Sequence, residues 1–194
     1  MHPDTMRLID RWVGIPLCFF ASFWPLKKAQ ADSNSTLATN IPPPDTIVFI
    51  LIAEIGALVV AYPAIKETRK QHPKSRICFI TAPAGLQTLE LMGFEKEDIF
   101  LLETSSIKSL LKGIVNIRSH FKGKRLSAIV LEPFTRFSTL LSAWIGASKR
   151  IGCYRFLNEG VYLGNILTHR LVYNPHLHMS QTYFALAKAL IEPD

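Results

Sequence analysis

The 194-residue chain lacks the short motifs that identify most α/β enzymes. It has no G-x-G-x-x-G, which excludes the dinucleotide-binding fingerprint. A phosphate-binding G-x-x-x-x-G-K-[ST] loop, a G-x-S-x-G nucleophile elbow and an H-E-x-x-H zinc pair are absent as well. No internal repeat of fixed period occurs, so solenoids and propellers are excluded. Cysteine is scarce: Cys18, Cys78 and Cys153 are scattered and odd in number, with neither a C-x-x-C pair nor a Cys/His spacing suited to zinc. They read as reduced thiols in a cytosolic setting. Cys78, within an apolar strand pattern, reads as a small core residue. Acidic residues are also short: 15 Asp and Glu against 22 Lys and Arg give a formal charge of +7. Such a balance suits anionic partners (a membrane surface, nucleic acid or a phosphorylated substrate) and equally serves solubility alone. Nucleic acid is the weakest of these, because the aromatics lie in the leader and the strands and are not interleaved with the basic residues.

What is present begins with an attachment, residues 1–45. The apolar run from Trp12 to Leu26 is flanked by Arg7 and Arg11 before it and Lys27 and Lys28 after it. A spanning helix needs about 20 apolar residues; this run is shorter and is interrupted by Pro16 and Pro25. A signal peptide shares the basic start and apolar stretch, but Asp10 and Arg11 abut the run and a proline and two tryptophans break it. Two readings remain open: an interfacial helix whose basic flanks meet anionic lipid, and a helix packed on the domain. Residues 30–45 (QADSNSTLATNIPPPD) are small, polar and proline-terminated, a linker that places the domain boundary before residue 46.

Residues 46–194 read as one doubly wound α/β domain. The run 46–52 (TIVFILI) is a continuous apolar stretch rich in β-branched residues, as expected of a central parallel strand covered on both faces. Gly56 allows a tight turn, and 58–71 reads as a helix with Pro63 in its first or second turn. Further strands are expected at 76–82, 98–103, 126–131, 151–153 and 169–173. Helices fall between them, one capped by Ser105-Ser106 and others stopped by Gly93 and Gly146. A last helix spans 177–191. Strands alternating with helices every ~25–30 residues imply a parallel sheet with right-handed crossovers and helices on both faces.

The order of these elements resembles the N-terminal half of family 9 glycosyltransferases, the ADP-heptose:lipopolysaccharide heptosyltransferase-like proteins. The resemblance is carried by VFILIAEIGALVVAYPAIKETRKQHPKSRICFIT, by SAIVLEPFTRFSTLLSAWIGASKRIGCYR and by THRLVYNPHLHMSQTYFALAKAL. It implies a GT-B architecture, in which an N-terminal Rossmann-like domain mainly holds the acceptor and a C-terminal one binds the nucleotide sugar. Because the chain stops at Glu192-Pro193-Asp194, the resemblance implies that the nucleotide-sugar domain is absent. A truncated product, a split subunit with a separate donor-binding partner, or an acceptor-binding module would each fit. It further implies a lipopolysaccharide-core or surface-glycan acceptor, a donor such as ADP-heptose, no metal, and a cytoplasmic location, at the inner face of the membrane if the leader is interfacial.

The family usually places an aspartate directly after the turn glycine, proposed to deprotonate the acceptor hydroxyl. Here that position is Ala57, which cannot accept a proton. Glu54, three residues earlier at the carboxyl end of the first strand, is the candidate base, with a helix-start cap as its bland role. The candidate acceptor-binding group is Gly56, Glu132, Arg136, Lys149 and Arg150. Glu132 would order hydroxyls and Arg136 would pair with a phosphate, or the two would make local structural contacts. Lys149 and Arg150, with Arg155, form a basic group around Gly152. His176 and His178 are spaced i, i+2 without a third ligand, so metal is not expected. His178 matches the family's histidine and reads as a cap.

Overall fold

The computed structural model describes residues 12, 14–23, 43–52, 55–156 and 161–191. One six-stranded sheet organises the domain: β1 (Thr46–Ile50), β2 (Arg76–Thr81), β3 (Ile99–Leu101), β4 (Leu126–Val130), β5 (Lys149–Phe156) and β6 (His169–Tyr173). All neighbours pair in parallel, in the order β3-β2-β1-β4-β5-β6. The central strands need no alternation of apolar and polar residues because both faces are covered; every residue of β1 and of β4 is buried.

Helices divide between the two faces. On one, α2 (Ile55–Gln71) and α6 (Met179–Lys188) pack on Ile47, Phe49 and Ile129 through Leu58, Ile65, Tyr183 and Leu186, with α3 (Leu86–Leu91) alongside α2. Phe49 and Phe79 stack there with centroids 5.5 Å apart. On the other face, α4 (Ile107–Phe121) and α5 (Arg136–Trp144) cover Val48, Ile50, Ala128 and Val130 through Ile117, Phe121, Leu141 and Ile145. Local chemistry sets the helix ends. Ser106 accepts a hydrogen bond from the Ser109 N–H at the start of α4, a cap contributing about 1 kcal/mol. Gly93 and Gly146 take φ of 80° and 88° just beyond α3 and α5, a region that stops a helix at little cost only in glycine.

Three expectations shift. Helix α2 starts at Ile55 rather than residue 58, so Pro63 lies in its interior. The carbonyl this proline leaves without an N–H partner belongs to Val59, on the exposed side of the helix, where water can replace it. Strand β5 starts at Lys149, two residues ahead of the expected strand, and runs on to Phe156. Gly56 has an ordinary φ inside the first turn of α2, so no turn requires glycine there.

The attachment contributes α1 (Gly14–Phe23), which packs on α5. Gly14 and Cys18 are buried, and the Ser22 hydroxyl accepts from the Asn165 N–H (3.0 Å) while donating to the Cys18 carbonyl. Close approach explains Gly164: a Cβ there would stand 2.7 Å from the Cys18 carbonyl, and its φ of 59° is left-handed. Residues 1–11 and 24–42, which include the basic flanks and most of the linker, lie outside the described residues. No described helix is long and apolar enough to cross a membrane.

Candidate functional site at the carboxyl edge of the sheet

The chain runs outward from β1 to β2 and β3, then crosses back to β4 and proceeds to β5 and β6. The strand order therefore reverses between β1 and β4, and the crevice beyond their carboxyl ends is where open α/β sheets bind ligands. Two helices, α2 and α5, begin at this edge and direct their N-terminal N–H groups toward it.

Glu132, two residues past β4, spans the reversal. Its side chain is buried; Oε1 accepts from the Ile52 N–H at 2.8 Å and Oε2 accepts from the Ser138 hydroxyl in the first turn of α5. One carboxylate thus joins the exit of β1 to the start of α5. Leaving the Ile52 N–H unsatisfied would cost about 1–3 kcal/mol. Glu54 lies outside the described residues, in the two-residue gap between Ile52 and α2. Gly56 is exposed, and a side chain in its place would meet nothing within 4 Å among the described residues. Neither φ nor crowding calls for glycine there, and its lack of a side chain leaves the start of α2 open to an incoming group. Ala57 is nearly buried against the core, so position 57 carries no acid for the crevice.

Arg136 is the first residue of α5, and its Nε donates to the Tyr162 carbonyl at 3.2 Å. A cation at a helix N-terminus opposes the dipole, which favours an acid there. The dipole therefore does not account for Arg136, and an anion approaching α5 would meet both the guanidinium and the N–H groups. Between Glu132 and Arg136, Phe134 adopts φ 61°, which is rare for a bulky residue and costs on the order of 1–3 kcal/mol. Its ring meets Tyr173, at the end of β6, edge to face with centroids 5.6 Å apart. Sequence reasoning missed Phe134, Ser138 and Tyr173. A left-handed phenylalanine has no sequence signature, and the Glu132–Ser138 pairing has no motif spacing.

Lys149 and Arg150 do not join this group. Lys149 is level with Ser127 on β4, and Glu132 lies five residues farther along, about 16 Å at ~3.3 Å per residue. Both cations are buried at the amino edge. Lys149 Nζ donates to the Leu190 carbonyl just past α6 (2.9 Å), a cation at the end of a helix where the dipole favours it. Arg150 donates to the carbonyls of Ile166 (2.6 Å), Ala147 and Ser148. The earlier start of β5 is the reason: its first two side chains are directed into the packed layers. Arg155, farther along β5, is exposed.

At the other end of the sheet's last strand, His178 caps α6, its Nδ1 accepting from the Ser180 N–H. Among the described residues, no three His, Cys, Asp or Glu groups stand close enough to hold a metal. A groove of about 280 Å³ lined by Tyr62, Lys66, Arg69, Lys70 and Phe94 lies on the flank of α2, with the Arg69 guanidinium 4.5 Å over the Phe94 ring. It is set apart from the carboxyl edge.

A six-stranded all-parallel sheet with helices on both faces and a β1/β4 reversal defines a Rossmann-like α/β domain. Its fold is similar to part of several solved glycosyltransferases. It is similar to the E. coli heptosyltransferase WaaC with ADP (TM-score 0.57, 9% identity) and to the same enzyme with ADP-2-deoxy-2-fluoro heptose (0.58, 9%). It is likewise similar to a family 9 glycosyl transferase from Veillonella parvula (0.58, 16%). Each similarity covers 75% of this chain but only 47%, 48% and 41% of the respective solved chain. This chain thus spans about half the length of those proteins. No protein-family model and no curated protein sequence matches it.

Proposed function

We propose that this chain is the acceptor-side domain of a glycosyltransferase of the heptosyltransferase kind. The observation that carries the reading is its fold similarity to solved glycosyltransferases, one of them with ADP and with an ADP-heptose analogue, together with the reversal of strand order between β1 and β4. In this reading a lipopolysaccharide-core or other surface-glycan acceptor lies across the carboxyl edge, and Gly56 leaves room for it. Arg136 and the start of α5 meet an acidic or phosphorylated group on the acceptor. Glu132 acts indirectly, by holding the exit of β1 in place. Glu54 is the candidate base that takes the acceptor hydroxyl proton as the oxygen attacks the anomeric carbon and the nucleoside diphosphate departs. The donor, a nucleotide sugar such as ADP-heptose, is bound by a second domain of the same kind.

The test is sugar transfer from ADP-heptose to a truncated core acceptor, measured with the chain alone and with a donor-binding domain supplied in trans. Transfer that depends on this chain and is lost in Glu54→Gln, with acceptor binding retained, is the expected result. Retained turnover would remove Glu54 from the mechanism, and no transfer in either arrangement would overturn the enzymatic reading. Ala57 favours one second reading, a domain that binds the acceptor without turning it over; acceptor binding with no transfer in any combination would select it.

A further inference from the structure

Helix α1 is inside out. It buries its small residues, Gly14 and Cys18, against the domain and presents bulky ones to solvent: Leu17 at 50% exposure, Phe19 at 48%, Phe20 at 68% and Phe23 at 73%. In a surface helix of a soluble domain the large apolar side chains face the core. The two other helices of this face of the sheet also carry exposed apolar side chains. On α4, Ile107, Leu111 and Val115 form an exposed stripe at i, i+4, i+8, and Trp144 is exposed at the end of α5.

Charge on the helices of this face has one sign. The helices α1, α4 and α5 contain no Asp or Glu. Lys108 and Lys112 are exposed beside the α4 stripe, and Arg118 is exposed farther along the same helix. In the sequence, Arg7, Arg11, Lys27 and Lys28 flank α1, with Asp10 the one acid among residues 7–28. On the opposite face, α2 and α3 carry Glu67 and Glu90. Exposed phenylalanines, leucines and tryptophan interleaved with cations, without carboxylates, match an anionic bilayer: apolar side chains enter the headgroup boundary and the cations meet lipid phosphates. A second copy is a poor occupant. A symmetric contact through these helices would bring like charges together with no acid on them to pair the cations, and lysine is depleted at the cores of protein interfaces.

We infer that the α1–α4–α5 face docks on an anionic membrane surface, with α1 lying in the interface. This docking does not rest on the sugar-transfer reading, and its test uses no sugar. The full chain is floated with phosphatidylcholine vesicles containing roughly one-third phosphatidylglycerol, with pure phosphatidylcholine vesicles, and with the anionic vesicles at high salt. The expected result is binding to the anionic vesicles that weakens in salt and falls roughly tenfold or more in Phe20→Ser/Phe23→Ser and in Lys108→Glu/Lys112→Glu. Both variants change exposed residues, so circular dichroism should show an unchanged melt. The inference is overturned if the wild-type chain floats with no vesicle, or if it binds and both folded variants bind as well as it does. A dimer in light scattering that Phe20→Ser/Phe23→Ser converts to a monomer would assign the face to a second copy and overturn it equally.

Discussion

The two edges of the parallel sheet use the same residue types to opposite ends. At the amino edge, charges close the structure. Asp45 and Arg125, just ahead of the paired strands β1 and β4, meet at 2.6 Å, and Arg76 at the start of β2 meets Asp98 ahead of β3 at 2.5 Å. Lys149 and Arg150 are enclosed there on backbone carbonyls. At the carboxyl edge, Glu132 bridges two strands' exits, Phe134 is held in a costly conformation, and Arg136 sits where the helix dipole disfavours it. Backbone strain lies at one edge, and paired charges at the other. The difference locates the site more firmly than residue type does, since a cluster of cations is equally available to hold an anion or to cap carbonyls.

Substitutions can sharpen or break this contrast. The largest effect is expected from Arg150→Met, which takes the donor from three carbonyls, those of Ile166 and Ala147 in buried contacts; we expect a loss of about 3 kcal/mol or more in urea unfolding. A near-neutral result would mean that Arg150 is not a structural cation. Glu132→Ala should cost about 2 kcal/mol, because the Ile52 N–H and the Ser138 hydroxyl both lose their acceptor, and it should weaken acceptor binding by loosening the exit of β1. Phe134→Gly should change stability little, since relief of backbone strain on the order of 1–2 kcal/mol offsets lost ring contacts, while acceptor binding falls. A large loss of stability there would show that the ring's packing outweighs the strain.

The smallest effect concerns acid. Burial and the neighbouring Lys149 charge hold His72 below its ordinary pKa of 6.5, and burial with nearby cations does the same to His120. The unfolded chain therefore takes up protons that the folded chain resists, so stability should decline as pH falls through and below 6.5. The Asp45 carboxyl, held below its ordinary 3.8 by hydrogen bonds from Arg125, stabilises the fold above that value and should cease to do so only at lower pH. Thermal melts of His72→Gln should be flatter across the first range, and those of Asp45→Asn across the second.

Much of the fold was legible in the residues. Apolar runs, most of them containing β-branched residues, located the strands, and Ser106, Gly93 and Gly146 marked helix ends through capping and left-handed geometry. The site was legible only in part. Glu132 and Arg136 lie at the expected edge because both follow a strand in a parallel sheet. Lys149 and Arg150 do not, because a strand that begins two residues early turns binding candidates into buried caps, and apolar periodicity locates strand starts poorly when the first residues are charged. The conformation of Phe134 depends on contacts with Tyr173 from a distant strand, which no local pattern encodes. The leader supported both an interfacial helix and a packed one, and α1 is packed on one side with its bulky side chains exposed on the other.

The contrast between the edges is tested most directly by amide chemical-shift mapping of the isotope-labelled chain titrated with a truncated core acceptor. The expected shifts cluster at Ile52, Gly56 and residues 132–138 and leave residues 149–151 unmoved. Shifts confined to the amino edge around Lys149 and Arg150, or none at saturating acceptor, would contradict the account.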